Sequence, residues 1–158
     1  MTKGADFDVV WTGDKAHVRL SPEAAKAYSE LKADPNRVRA LTQLERYFGR
    51  FCDAGERTLP REHFRFEESK SVNGKKVPIF TFKPWQWRLY GSIYEVAGKR
   101  AFVGTKVDPG KKKDRADQAL LKAAAEEISA LTDYKGDDDD QKAKRKSEKR
   151  RDGGGRAR

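Results

Sequence analysis

One cysteine, one methionine and two histidines are all that this 158-residue chain holds of those types, and the scarcity excludes several kinds of protein. Cys52 alone closes no internal disulfide and supports no multi-cysteine zinc site. On the apolar stripe of a helix, it reads as core filler. His17 and His63 stand far apart and read as surface or hydrogen-bond-satisfied residues rather than a catalytic pair. No run of about 18 apolar residues occurs, and the first six residues lack the apolar stretch of a secretion signal. The expectation is a cytoplasmic protein with no membrane partner. Gly-rich phosphate loops, Gly-x-Ser-x-Gly elbows, His-Glu-x-x-His and paired cysteines are missing too, so neither a metal nor another cofactor is expected.

Charge is what the chain has in quantity. Charged residues make up 38% of it and the net charge is +10. Residues 135–158 carry ten Lys or Arg against six Asp or Glu, a net of +4, which leaves +6 on residues 1–134. The polar excess therefore concentrates in a charged C-terminal tail expected to be disordered, while residues 1–134 suit one domain that is basic in its own right. A basic domain favours polyanions, because neutralising phosphates releases condensed counterions.

Two β-prone runs, Phe7 to Trp11 and His17 to Leu20, flank a turn at Thr12-Gly13-Asp14-Lys15 and predict a hairpin. Ser21-Pro22-Glu23 reads as N-cap, first-turn proline and N-terminal acid of a helix to about Ala33. Val38, Leu41, Leu44, Phe48, Phe51 and Cys52 recur at steps of three and four, a second helix closed by Gly55. Arg37, Arg39, Arg46 and Arg50 lie off that stripe and read as a solvated face.

Asn73-Gly74 predicts a tight hairpin between strands near His63–Glu68 and Val77–Phe82. A third strand is expected from Trp85 or Gln86 to Val96. A Gly98-Lys99 turn then leads into a strand from Arg100 to about Asp108. Alternation sends Arg88, Tyr90, Ser92, Tyr94 and Val96 to one face with Ala101, Val103, Thr105 and Val107. Trp87, Leu89, Gly91, Ile93 and Glu95 take the other with Phe102, Gly104 and Lys106. Which face meets the helices stays open, and Gly91 beside Gly104 leaves room for close approach to the backbone. Asp114 is the expected N-cap of a last helix to about Leu131, burying Ala116, Leu120, Ala124, Ile128 and Leu131.

Lys83, Trp85, Trp87, Arg88 and Tyr90 form the densest cluster of chemistry, since tryptophans stack on bases and a guanidinium pairs with phosphate. Alternation separates Trp85 and Trp87 from Arg88 and Tyr90, so at least one of the two sets is structural. Lys111, Lys112 and Lys113 stand just ahead of a helix N-terminus, where amides and the macrodipole already favour an anion. Trp85 and the three lysines are therefore candidate nucleic-acid contacts.

The order of elements, together with Phe82-Lys83-Pro84-Trp85-Gln86-Trp87-Arg88-Leu89-Tyr90, Ala101-Phe102-Val103-Gly104, Lys111-Lys112-Lys113 and the helix from Ala116 to Ile128, resembles the RelE/ParE-like toxin superfamily. The phage-derived HigB-like branch fits best, over residues 36–131. The resemblance implies an α+β fold in which N-terminal helices pack on a small antiparallel sheet with a closing C-terminal helix, here with an extension over residues 1–33. It also implies the toxin of a type II toxin-antitoxin pair, a metal-independent endoribonuclease that cuts messenger RNA on the ribosome and is restrained by an antitoxin protein. In such a reaction the 2′-hydroxyl of the RNA attacks the adjacent phosphate. Arg88 would hold the developing charge, Lys83 and Lys106 would assist, and Tyr90 would shuttle a proton. The chain departs from the pattern at its end, where only Tyr134 stands near the place of a final catalytic Tyr or His. A non-catalytic nucleic-acid- or ribosome-binding protein is the alternative, and a protein-binding module relying on the tail is a third.

Overall fold

The computed structural model describes residues 3–110 and 116–135 and the backbone of 137–138. A hairpin of β1 (Asp8–Thr12) and β2 (Ala16–Leu20) leads into α1 (Pro22–Ala33) and α2 (Val38–Ala54). The meander β3 (Phe64–Val72), β4 (Lys75–Phe82), β5 (Arg88–Val96) and β6 (Lys99–Asp108) follows, then α3 (Gln118–Ser129). A two-residue strand, β7 (Asp137–Asp138), pairs with Lys75 and Lys76 of β4. The architecture is α+β. No described helix is long and apolar enough to cross a membrane.

Local chemistry explains the helix ends. Ser21 accepts the Ala24 amide at 3.2 Å and Pro22 opens α1. Gly55, at φ 92°, takes the left-handed residue that ends α2. Asp34 accepts from Asn36 and starts the short 3-10 turn between the two helices. The expected Asp114 cap lies outside the described residues; α3 is capped by Asp117, which accepts from Ala119 and Leu120. Asn73 and Gly74 take positive φ (50° and 80°) as the hairpin requires. The β5–β6 turn falls one residue earlier than predicted: Ala97 and Gly98 carry the positive φ, and Lys99 already pairs with Val96.

The sheet is larger than the small antiparallel one expected. Its order is β1-β2-β6-β5-β4-β3, and β2 runs parallel to β6, so the N-terminal hairpin extends the meander instead of standing apart. From β2 the chain crosses through α1 and α2 to β3 at the far edge and returns through β4 and β5 to β6, so the parallel pair has the long connection it needs. Both faces of the sheet are covered. On one, α1 and α2 pack over Phe64, Phe82, Trp87, Leu89 and Phe102. On the other, α3 packs over Val77, Ile79, Tyr90, Ala101 and Val103. Phe82 and Phe102 meet edge to face at 4.7 Å, and Phe51 meets Phe82 at 5.8 Å. Each such pair contributes about 0.5–1.5 kcal/mol beyond burial.

A bulge at Thr105 changes the predicted alternation. Tyr90 pairs with Lys106 but Gly91 with Gly104, so one extra residue of β6 is accommodated between them. Lys106 is thereby moved from the Trp87 face to the face of Arg88 and Tyr90. Gly91 and Gly104 are cross-strand neighbours, but the protein itself fills the space: Leu20 and Leu89 crowd Gly104, and the Val103 backbone crowds Gly91.

Candidate nucleic-acid interface

Between β4 and β5 the chain makes a tight loop whose geometry follows from its residues. Lys83 donates its amide to the His63 carbonyl at 2.7 Å, carrying the β3–β4 ladder one step beyond the strands. Pro84 has no amide to continue it, and Gln86 adopts φ 52°. The loop delays β5 to Arg88 and breaks the alternation expected of the two tryptophans. Trp87 turns into the core at 2% exposure, whereas Trp85 stands out at 41%.

Side chains from three elements hold this loop. The Trp85 amide donates to Oε1 of Gln43 on α2 at 2.7 Å. Arg37 donates to the Gln86 carbonyl and the Pro109 carbonyl, both at 2.9 Å. Arg88 donates to the carbonyls of Pro84 and Trp87, also at 2.9 Å. Arg37, expected on a solvated face, is a brace that ties Pro109 to the loop.

Arg39 is exposed, as the solvated reading expects, and its guanidinium lies over the Trp85 ring, 4.8 Å from the centroid. On α2 the residues Arg39, Gln43, Arg46 and Arg50 follow steps of four, three and four, which line one helical face. The three arginines are exposed and, among the described residues, make no ion pair. Their field reaches inward. Burial pushes the Tyr47 hydroxyl up, while Arg46, Arg39 and Arg88 pull it back. Burial lowers the His63 imidazole; Glu62 opposes that, and Arg46 and Arg50 add to it. His63 stacks on Tyr47 with centroids 4.3 Å apart. A cleft of about 370 Å³ opens here, lined by Gln43, Tyr47, Lys83, Trp85 and Arg88, with Glu62 as its one carboxylate among the described residues.

The register brings the four candidate catalytic residues to one sheet face. Arg65, Thr81, Tyr90 and Lys106 pair across β3, β4, β5 and β6, and Arg88 lies opposite Asp108 one step along. Lys83 follows Thr81 by two residues and shares the parity. Yet Tyr90 is fully buried, and burial first, with Asp108 second, pushes its hydroxyl up to about 12. Lys106 is held by Glu23 at 3.0 Å and Glu127 at 3.2 Å. Burial alone lowers its pKa, but the bonds to Glu23 and Glu127 outweigh this and the ammonium is reinforced. Neither residue is presented for proton transfer. Lys83 and Arg88 reach the cleft; Lys111, Lys112 and Lys113 lie outside the described residues.

A larger cleft, about 630 Å³, lies where β4 and β5 diverge, beside Lys76, Tyr94 and Tyr134. Its Asp133 accepts the Gly4 and Ala5 amides at 2.9 Å and fastens the N-terminal segment. Tyr134 donates to the Lys76 carbonyl at 2.8 Å and packs edge to face with Tyr94. It is far along the sheet from Lys83 and Arg88, at the opposite end of β4. Among the described residues no group of three or more His, Cys, Asp or Glu is placed to hold a metal.

Read from sequence alone, Arg39, Gln43, Arg46, Arg50 and His63 had no role at this surface. The helical stripe was present as a signal, since its spacing is as regular as that of the buried face; what the spacing omits is the loop against which it lies. The site so defined is an aromatic and cationic surface, its loop braced by side-chain hydrogen bonds, on an α+β domain. No family model, curated protein or solved structure matches this chain.

Proposed function

We propose that this chain is a nucleic-acid-binding protein that grips a phosphate backbone, RNA or ribosomal surface, along α2 and the Lys83–Arg88 loop. One observation carries the reading: Lys83, Arg88 and the exposed Trp85 line a single cleft, Arg39 lies over the Trp85 ring, and Arg46 and Arg50 continue the cationic face along α2. A net charge of +6 on residues 1–134 agrees with a polyanionic partner. Binding of a fluorescent 12-nucleotide RNA, titrated between low and moderate salt, is the test. The logarithm of affinity falls linearly with that of salt, and Arg39→Ala, Arg46→Ala and Arg50→Ala together reduce the slope by about 0.7 per lost phosphate contact. An unchanged slope removes the reading.

The second reading is a type II toxin with metal-independent, ribosome-dependent endoribonuclease activity, held in check by an antitoxin. Placement of Lys83, Arg88, Tyr90 and Lys106 on one sheet face favours it. The burial of Tyr90 and the ion pairs of Lys106 oppose it, because α3 would have to withdraw before either reached a phosphate. Primer extension on messenger RNA after induction, comparing the chain with Arg88→Ala, decides between binding alone and cleavage.

A further inference from the structure

We propose that Trp85 is a preformed base-stacking platform, so that the ligand of this surface is single-stranded nucleic acid with at least one unpaired base. The inference rests on the proposed phosphate-binding surface and assigns the substrate class to it.

Two tryptophans two residues apart have opposite fates. Trp87 is core, 2% exposed; Trp85 is 41% exposed. An exposed indole on a slack loop would carry little meaning, but this loop is tied down at each residue from Pro84 to Trp87. The carbonyls of Pro84 and Trp87 accept from Arg88, the carbonyl of Gln86 accepts from Arg37, and the amide of Trp85 donates to Gln43. Rigidity matters because a ring already fixed in its bound orientation loses little freedom when a partner lands on it. Arg39 covers one face of the ring with a cation, so a base would stack on the other face with positive charge close to its phosphate.

This arrangement selects among polyanions. Duplexes present phosphates and base edges, with the base faces covered by their neighbours, so an exposed indole gains nothing from them. A single strand offers base faces to the ring and phosphates to Arg39 and Arg46 together. Every base has a π-face, so the preference is for strandedness and not for sequence.

The test uses the full chain and four probes, each compared between parent and variant: a 12-nucleotide RNA, a DNA of the same sequence, its duplex, and inorganic polyphosphate. Trp85→Ala lowers affinity for both single strands by about tenfold and leaves duplex and polyphosphate within twofold; Trp85→Phe recovers most of the loss. RNA against DNA in the first two arms separates contact with the 2′-hydroxyl from stacking alone. Single-strand binding also quenches tryptophan fluorescence, and Trp85→Phe removes the quench although Trp11 and Trp87 remain. A thermal melt of Trp85→Ala matching the parent excludes unfolding as the cause. Equal losses on all four probes, or no loss on the single strands, overturn the platform while leaving the phosphate-binding reading intact. A Trp85-dependent affinity for an acidic peptide equal to that for RNA overturns it in favour of a protein partner. Absence of binding to every probe removes both proposals.

Discussion

Lys106 holds Glu23 and Glu127 together, its ammonium 3.0 Å from one and 3.2 Å from the other, and thereby ties the first helix to the last across the sheet. The Thr105 bulge makes this possible by turning Lys106 toward the α3 face. Because Glu23 is largely exposed, solvent screens part of the interaction. Lys106→Met should therefore lower unfolding free energy by about 1 kcal/mol in urea titrations while RNA affinity stays within twofold. A tenfold fall in affinity with stability unchanged would place Lys106 against the ligand after all.

Gly91 and Gly104 face each other across β5 and β6 under unequal constraints. A methyl on Gly104 would lie 2.8 Å from Cδ1 of Leu89 and 2.9 Å from Cδ2 of Leu20, the ends of side chains that can turn aside. On Gly91 it would strike the Val103 carbonyl and lie 2.8 Å from the Gly104 Cα, backbone that cannot. Gly91→Ala should cost about 3 kcal/mol or more, and Gly104→Ala about 1–2, by denaturant unfolding. Equal costs would show that the bulge relaxes as freely as a leucine.

Tyr90 keeps its proton at neutral pH and its buried hydroxyl closes no well-formed hydrogen bond among the described residues, although the Asp117 amide approaches it. Tyr90→Phe removes that hydroxyl with the ring left in place. Stability should stay within about 0.5 kcal/mol or rise, since an unpaired buried hydroxyl costs more than it returns. Loss of messenger RNA cleavage in this variant, with the fold retained, would instead make the hydroxyl catalytic.

His17 accepts the Nε hydrogen of Arg19 at 2.7 Å through its own Nε2, a bond only the neutral imidazole can accept. Arg19 in turn donates to the Ala5 carbonyl and so fastens the N-terminal segment. Burial first, then the charges of Arg19 and Lys99, hold the imidazole below its ordinary value of 6.5. The unfolded chain thus binds the proton more readily. Stability is unaffected by His17 well above pH 6.5, falls as pH drops through 6.5, and ceases to fall below the depressed folded value. His17→Gln keeps an acceptor without a titration, and should lose less stability than the parent between pH 7.5 and 5.5 in urea melts. Identical slopes would mean that the imidazole titrates alike in both states.

Much of the local structure was legible in the residues alone. The Ser21 cap with Pro22, the Gly55 stop and the Asn73-Gly74 turn each depend on a few neighbouring residues whose φ, amides and carbonyls are set by chain chemistry. The buried stripe of α2 was equally plain, as a period of 3.6 needs no knowledge of what covers it. For the same reason, the succession of helices and strands followed from pattern, and the basic character of residues 1–134 from composition.

Long-range pairing decided the rest. Period-two alternation sorts residues into two sets without saying which neighbour each set meets, and a single extra residue at Thr105 reverses the assignment beyond it. So the parallel union of β2 with β6, the burial of Tyr90, the capture of Lys106 and the exposure of Trp85 while Trp87 enters the core belong to the tertiary structure. Arg39 shows the distinction in one residue: its helical face was set by the sequence, but the indole it covers was brought there only when β4 and β5 closed the loop against α2.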